Sequence, residues 1–165
     1  IIPRGRALGV TVGIPEEDSY SHTKTWLEDQ LVILYGGYAA ESLIYADTTT
    51  GTQNDIMRAT EIARKMVCEW GMSSEMGAVS YGQEDEPIFM GRDIGRHKMF
   101  SDETACKIDI AVSDILKNAY NRAFAILQEH KDQLEKLTEA LVERETMSDA
   151  EIRDLLGFEP YCKSE

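Results

Sequence analysis

The sequence predicts a mainly α-helical fold with a small β element at its N-terminus. Three observations predict it. Apolar residues recur at helical spacing through long segments from Trp26 onward, serines at 101 and 148 stand where helices would begin, and only the opening stretch is both rich in β-branched residues and broken by Gly and Pro. At 165 residues the chain has the length of one domain with a sizeable core.

The opening IIPRGRALGVTVGIP reads as one or two short strands. Val10, Thr11, Val12 and Ile14 favour extended backbone, while Pro3, Gly5, Gly9, Gly13 and Pro15 rule out a helix. After His22 the period changes. Trp26, Leu27, Leu31, Val32, Leu34 and Tyr35 trace a helix, and Gly36-Gly37 then permits either a bend before AAESLIY resumes it or the close approach of another helix.

ADTTTGTQ is a loop by composition. From Asn54, the residues Ile56, Ala59, Ala63, Met66, Val67 and Trp70 form one helical face, with Gly71 as its stop. Residues 72–100 read as a long surface loop containing two β-like runs, GAVSY and PIFMG; a flap or subunit-contact loop is the functional reading of the same stretch.

Ser101 followed by Asp102 and Glu103 predicts an N-cap and a long helix. Ala105, Ile108, Val112, Ile115, Ala119, Ala123 and Ile126 give it one stripe, which Leu116, Tyr120, Phe124 and Leu127 widen. A break near Glu129 to Asp132 precedes a helix carrying Leu134, Leu137 and Leu141. Ser148 and Glu151 have capping-box spacing for a last short helix ending at Leu156 and Gly157.

Thirty acidic residues against 17 basic ones give a net charge of -13, which repels phosphate backbones. The densest basic stretch, Arg92 to Lys98, lacks interleaved aromatics, so nucleic acid is excluded as a partner. Cys68, Cys106 and Cys162 are odd in number and far apart, which predicts free thiols in a reducing compartment rather than a disulfide framework or zinc ribbon. No apolar run is long enough to span a bilayer, and the chain is expected to be soluble. It starts at Ile1-Ile2 without a Met, in what looks like the middle of a strand, as a piece of a longer protein would.

His22, His97 and His130 are widely separated, and none belongs to an H-E-x-x-H; each reads as a solvated histidine. Asp55 is different, because it stands where the Thr-rich loop turns into a helix. Complementing the helix dipole would contribute about 0.3–1 kcal/mol there. The alternative is a carboxylate aimed at a metal ion.

The strings IIPRGRALGVT, LYGGYAAESLIY, TGTQNDIMRATEIARKMV, WGMSSEMGAVSY, FMGR and SDETA, in this order, resemble the peptidase domain of the FtsH family of membrane-anchored, ATP-dependent AAA+ zinc metalloproteases. The likeness covers residues 1–158 and leaves residues 159–165 as a C-terminal tail. It implies a helical peptidase domain, and in that family an H-E-x-x-H helix supplies two histidine ligands and the general-base Glu, with an aspartate of a T-G-x-x-N-D-I motif as third ligand. Asp55 is the residue that matches.

The H-E-x-x-H helix is expected shortly before Ile1, so this chain contains no catalytic residue of its own and is expected to be inactive as given. Glu41 matches a recurrent acid of the family, either supporting the metal or its ligands from behind or standing as a solvated or helix-pairing acid. The resemblance also implies a strand through Gly9, Val10, Thr11 and Val12 beside the zinc cleft, either an edge on which extended substrate pairs its backbone or an ordinary strand of a small sheet. Gly36 and Gly37 match the family as well and are assigned to close helix packing.

The function so implied is that of the proteolytic domain of an ATP-dependent zinc metalloendopeptidase. It would take one Zn2+ per subunit, bind ATP in an AAA+ module outside this chain, and degrade unfolded polypeptides drawn from misfolded or short-lived membrane and cytosolic proteins. The assembly implied is a homo-hexamer on the cytoplasmic face of the bacterial inner membrane, attached only through an anchor absent from this chain. The competing reading is a catalytically inactive helical oligomerisation scaffold of the same family.

Overall fold

The structure is a computed structural model that describes residues 21–81 and 100–159. The described residues divide into two compact units, one within residues 21–125 and one within residues 126–159. The described residues contain five α-helices and one 3-10 turn, and no strand. The β element expected within residues 1–15 and the run PIFMG lie outside the described residues.

In the first unit, α1 spans Lys24–Tyr45. Thr23 caps it, holding extended backbone while its hydroxyl oxygen accepts from the Trp26 N–H at 3.2 Å. The helix runs unbroken through Gly36 and Gly37, so the pair does not divide it into two helices. Its course is set by packing on both sides of the pair. Leu31 and Ala39 are fully buried, and that burial outweighs the roughly 1 kcal/mol by which a mid-helix glycine disfavours the helix.

A 3-10 turn at Thr50–Thr52 leads directly into α2, Gln53–Cys68. Two faces of α2 are buried. Ala59 and Met66 pack with Leu27 and Leu31 of α1 and with Ala119 of α3, which spans Asp102–Glu129. Ala63 and Val67 pack with Met76 and with Ile108, Ala111 and Val112 of α3. Ile115 and Leu116 border both clusters. Alanines at these contacts bring the helix backbones close together, which is why a unit with few large buried side chains still closes a core.

The widened stripe of α3 has a use here. Tyr120 sits edge-on to Tyr35 and Tyr38 of α1, with ring centroids 6.2 and 5.5 Å away, and Phe124 is 6.0 Å from Tyr120. Ser101 caps α3 as expected, accepting from the Thr104 N–H at 3.2 Å.

Two expectations after α2 fail. Trp70 is 44% exposed because the helix stops at Cys68, before the predicted face reaches it. GAVSY forms no strand; the Tyr81 N–H instead bonds the Cys68 carbonyl, and Met76 is buried against α2 and α3.

The second unit is described from Ile126 to Glu159. Ile126, expected on the buried stripe, is 49% exposed. Lys131–Arg144 forms α4 and Asp149–Leu156 forms α5, with His130 as the single residue between α3 and α4. The capping box at Ser148 and Glu151 is complete, and Gly157 ends α5 with φ 75°. The Gln133 amide donates to the Leu156 carbonyl at 2.9 Å, tying the end of α5 to α4.

Candidate metal centre

Asp55 lies in the first turn of α2, exposed to solvent. Among the described residues its carboxylate takes part in no hydrogen bond or ion pair. The N-cap Thr52 does not cap with its side chain. Its hydroxyl is turned toward the Thr49 carbonyl at 3.4 Å, and Asp55 is the one acidic residue in this first turn. It stands at the positive end of the helix dipole.

The loop leading to Asp55 is held from α1. Glu41, half-buried on that helix, takes both hydrogen-bond donors of Thr49: the backbone N–H donates to Oε2 at 2.8 Å and the hydroxyl to Oε1 at 3.0 Å. Thr49 Oγ1 in turn accepts from the Gly51 N–H at 3.2 Å, which starts the 3-10 turn. The Gln53 N–H then bonds the Thr50 carbonyl, and the chain enters α2 without a hinge. Asp47 Oδ1 fixes the start of the loop by accepting from the Thr48 N–H at 2.8 Å.

Thr52 is the anchor of the turn. It is 6% exposed, and its methyl would lie 3.8 Å from a Cβ placed on Gly37, ordinary contact distance. Gly37 thus faces this turn with room for a Cβ, and Gly36 has open space around its Cβ position. Neither glycine is in a contact so close that a Cβ is excluded, which corrects the assignment of the pair to close helix packing.

The remaining candidates are elsewhere. His22 stacks on Trp26 with ring centroids 3.8 Å apart, and His130 joins α3 to α4 in the other unit. His97 and the proposed substrate edge Gly9, Val10, Thr11 and Val12 fall outside the described residues. Burial raises the Cys68 thiol above its ordinary value, which leaves it a packed side chain rather than a reactive thiolate. A shallow depression of about 490 Å³ runs along α3 past Cys106, Asp109, Ile110 and Asp114, with no lining residue from α2 or the Thr-rich loop.

Among the described residues no three His, Cys, Asp or Glu side chains form a group able to hold a metal ion. Asp55 nevertheless has what one ligand of such a group needs. It offers a hard anionic oxygen free of other partners, a fixed position on a helix end, and a braced approach loop. The sequence pointed to Asp55 and Glu41 but missed Thr49 and Thr52. The signal for them was the Thr48-Thr49-Thr50 run ahead of a helix, where hydroxyls compete for turn hydrogen bonds.

The peptidase family M41 matches residues 1–155. Over 157 residues, 95% of the chain, it is 50% identical to "ATP-dependent zinc metalloprotease FtsH 1" of Rhodopirellula baltica, of which it covers 23%. It is 48% identical to "ATP-dependent zinc metalloprotease FtsH" of Magnetococcus marinus over 97% of the chain and 24% of that protein. The protein of the same name from Thermotoga maritima is 46% identical over 96% of the chain, which covers 26% of it. The chain therefore spans about a quarter of the length of these relatives.

Proposed function

Because this chain belongs to peptidase family M41, we propose that it is part of the proteolytic domain of an ATP-dependent zinc metalloendopeptidase and that Asp55 is the ligand it contributes to the metal. The observation that carries this reading is Asp55 itself, an exposed and unengaged carboxylate in the first turn of α2, on a helix end braced by Glu41 and Thr52. A zinc ion held there supplies Lewis-acid polarisation of a scissile carbonyl and a nucleophilic water near neutral pH.

This chain's residues hold and orient. Asp55 gives the metal one oxygen, while two histidines and a general-base Glu come from an H-E-x-x-H helix outside this chain. Gly9 to Val12 receive the backbone of an extended, unfolded substrate, which makes recognition tolerant of side-chain identity. Nucleotide binding belongs to an AAA+ module, also outside the chain, and attachment to the cytoplasmic face of the bacterial inner membrane belongs to an anchor elsewhere. No described helix is long and apolar enough to cross a membrane.

Assembly as a homo-hexamer is part of the same reading. Its support within the chain is a line of apolar residues on α1, Trp26, Ile33, Ala40 and Ile44, at spacings of seven, seven and four residues. Trp26, Ile33 and Ile44 are 44, 61 and 42% exposed, and contact between copies would remove such surface from water.

The test is Asp55→Asn in the protease that carries this chain. Hydrolysis of β-casein should be lost while ATP hydrolysis persists. Undiminished casein cleavage would remove the ligand assignment, and a parent protein with a degenerate H-E-x-x-H would leave the inactive scaffold as the better description.

A further inference from the structure

We infer that Glu41 is a positioning residue that acts on the metal site through Thr49, by closing the loop Asp47–Thr52 so that α2 begins at one fixed point; the inference rests on Asp55 being the metal ligand. Both oxygens of Glu41 are occupied by the two donors of one residue, at 2.8 and 3.0 Å. That arrangement fixes the rotation of the Thr49 peptide as well as its distance from α1.

From Thr49 a series of short constraints leads to the helix. The oriented Thr49 hydroxyl has its oxygen free to accept from Gly51, and the Thr49 carbonyl takes the buried Thr52 hydroxyl at 3.4 Å. The Thr50 carbonyl takes the Gln53 N–H, and Asp55 comes two residues later in the same turn of helix. A displacement of Thr49 therefore reaches the Asp55 carboxylate with little regular helix to absorb it. Each Glu41 oxygen is directed at a donor of Thr49 on the approach loop, and the role assigned to Glu41 is placement of that loop.

Removing the clamp should weaken zinc binding without removing a ligand. In the protease carrying this chain, Glu41→Ala should speed amide hydrogen exchange at Thr49 and Gly51 about tenfold or more, leave exchange in the buried part of α3 unchanged, and lower zinc affinity in chelator competition by about 10-fold. Thr49→Val, which keeps the N–H and loses the hydroxyl, should move both readouts in the same direction by less. Thr49→Ser restores the hydroxyl and should behave as the parent.

Should Glu41→Ala fail to fold, the contrast between Thr49→Val and Thr49→Ser carries the test. Unchanged exchange at Thr49 and Gly51 in the folded variants overturns the inference. So does parental zinc affinity in Glu41→Ala when Asp55→Asn lowers it. If Asp55→Asn itself leaves zinc affinity intact, the ligand reading fails first and takes the positioning role with it.

Discussion

Arg122 of α3 donates from Nη2 to Oδ1 of Asp29 on α1 at 2.7 Å, joining residues 93 positions apart in the chain. Both side chains are about half exposed, 52 and 53%, so a double-mutant cycle should assign the pair only about 0.2–1 kcal/mol. Leu31 is fully buried between the same two helices and α2. Leu31→Ala should cost about 2–5 kcal/mol in urea unfolding. If the two substitutions cost the same, the helices are held by charge rather than by apolar packing.

Gly71 has φ 60°, and a Cβ placed on it would stand 3.0 Å from the Cα of Ala78. Gly71→Ala thus meets backbone strain of about 1–2 kcal/mol and a steric contact that no side-chain rotation relieves. Gly77 has φ 69° with open space around it, so Gly77→Ala should cost only the strain. Thermal unfolding of the two variants should place Gly71→Ala clearly below Gly77→Ala.

Glu151 has its carboxyl held below its ordinary value, first by the Ser148 N–H and then by the Ser148 hydroxyl, both at 2.7 Å. A group lowered in the folded state adds stability above its unfolded pKa and loses it as pH falls through the folded value. The contribution of the α5 cap should therefore be complete at neutral pH and fade below about pH 4.5. Ser148→Ala should cost about 1 kcal/mol at neutral pH and flatten that acid limb. An acid limb of unaltered depth in Ser148→Ala would count against it.

Burial, and then the neighbouring Tyr38, raise the phenol of Tyr35 above its ordinary 10.0. The folded state keeps the neutral form, so the unfolded chain ionises first. Stability that is intact below about pH 10 should be lost as pH rises toward the folded value. Urea midpoints measured across that range should fall less steeply for Tyr35→Phe than for the parent. Parallel curves would place the alkaline sensitivity on other groups.

How legible these features were depends on how local their causes are. The Ser148–Glu151 box and the Ser101 cap involve residues three apart, and such hydrogen bonds are written in the sequence order itself. The continuation of α1 through Gly36-Gly37 is not, because it is decided by Leu31 and Ala39 against other elements. Trp70 misleads for the related reason that an apolar period continues two residues beyond the helix that carries it.

At the candidate site, Asp55 was visible chiefly through its surrounding motif, since a first-turn acid is common in any helix. The Glu41–Thr49 clamp spans eight residues and a loop, and no period or spacing announces it. Only the folded loop brings its donors to one carboxylate.

Where the Asp55 oxygen lies in the metal-loaded protease decides whether it is a ligand. Anomalous diffraction at the zinc edge, on the protein carrying this chain together with its H-E-x-x-H helix, should place a carboxylate oxygen of Asp55 at about 2.0–2.2 Å from the ion. A zinc site completed by another donor, with the Asp55 side chain directed into solvent, would contradict it.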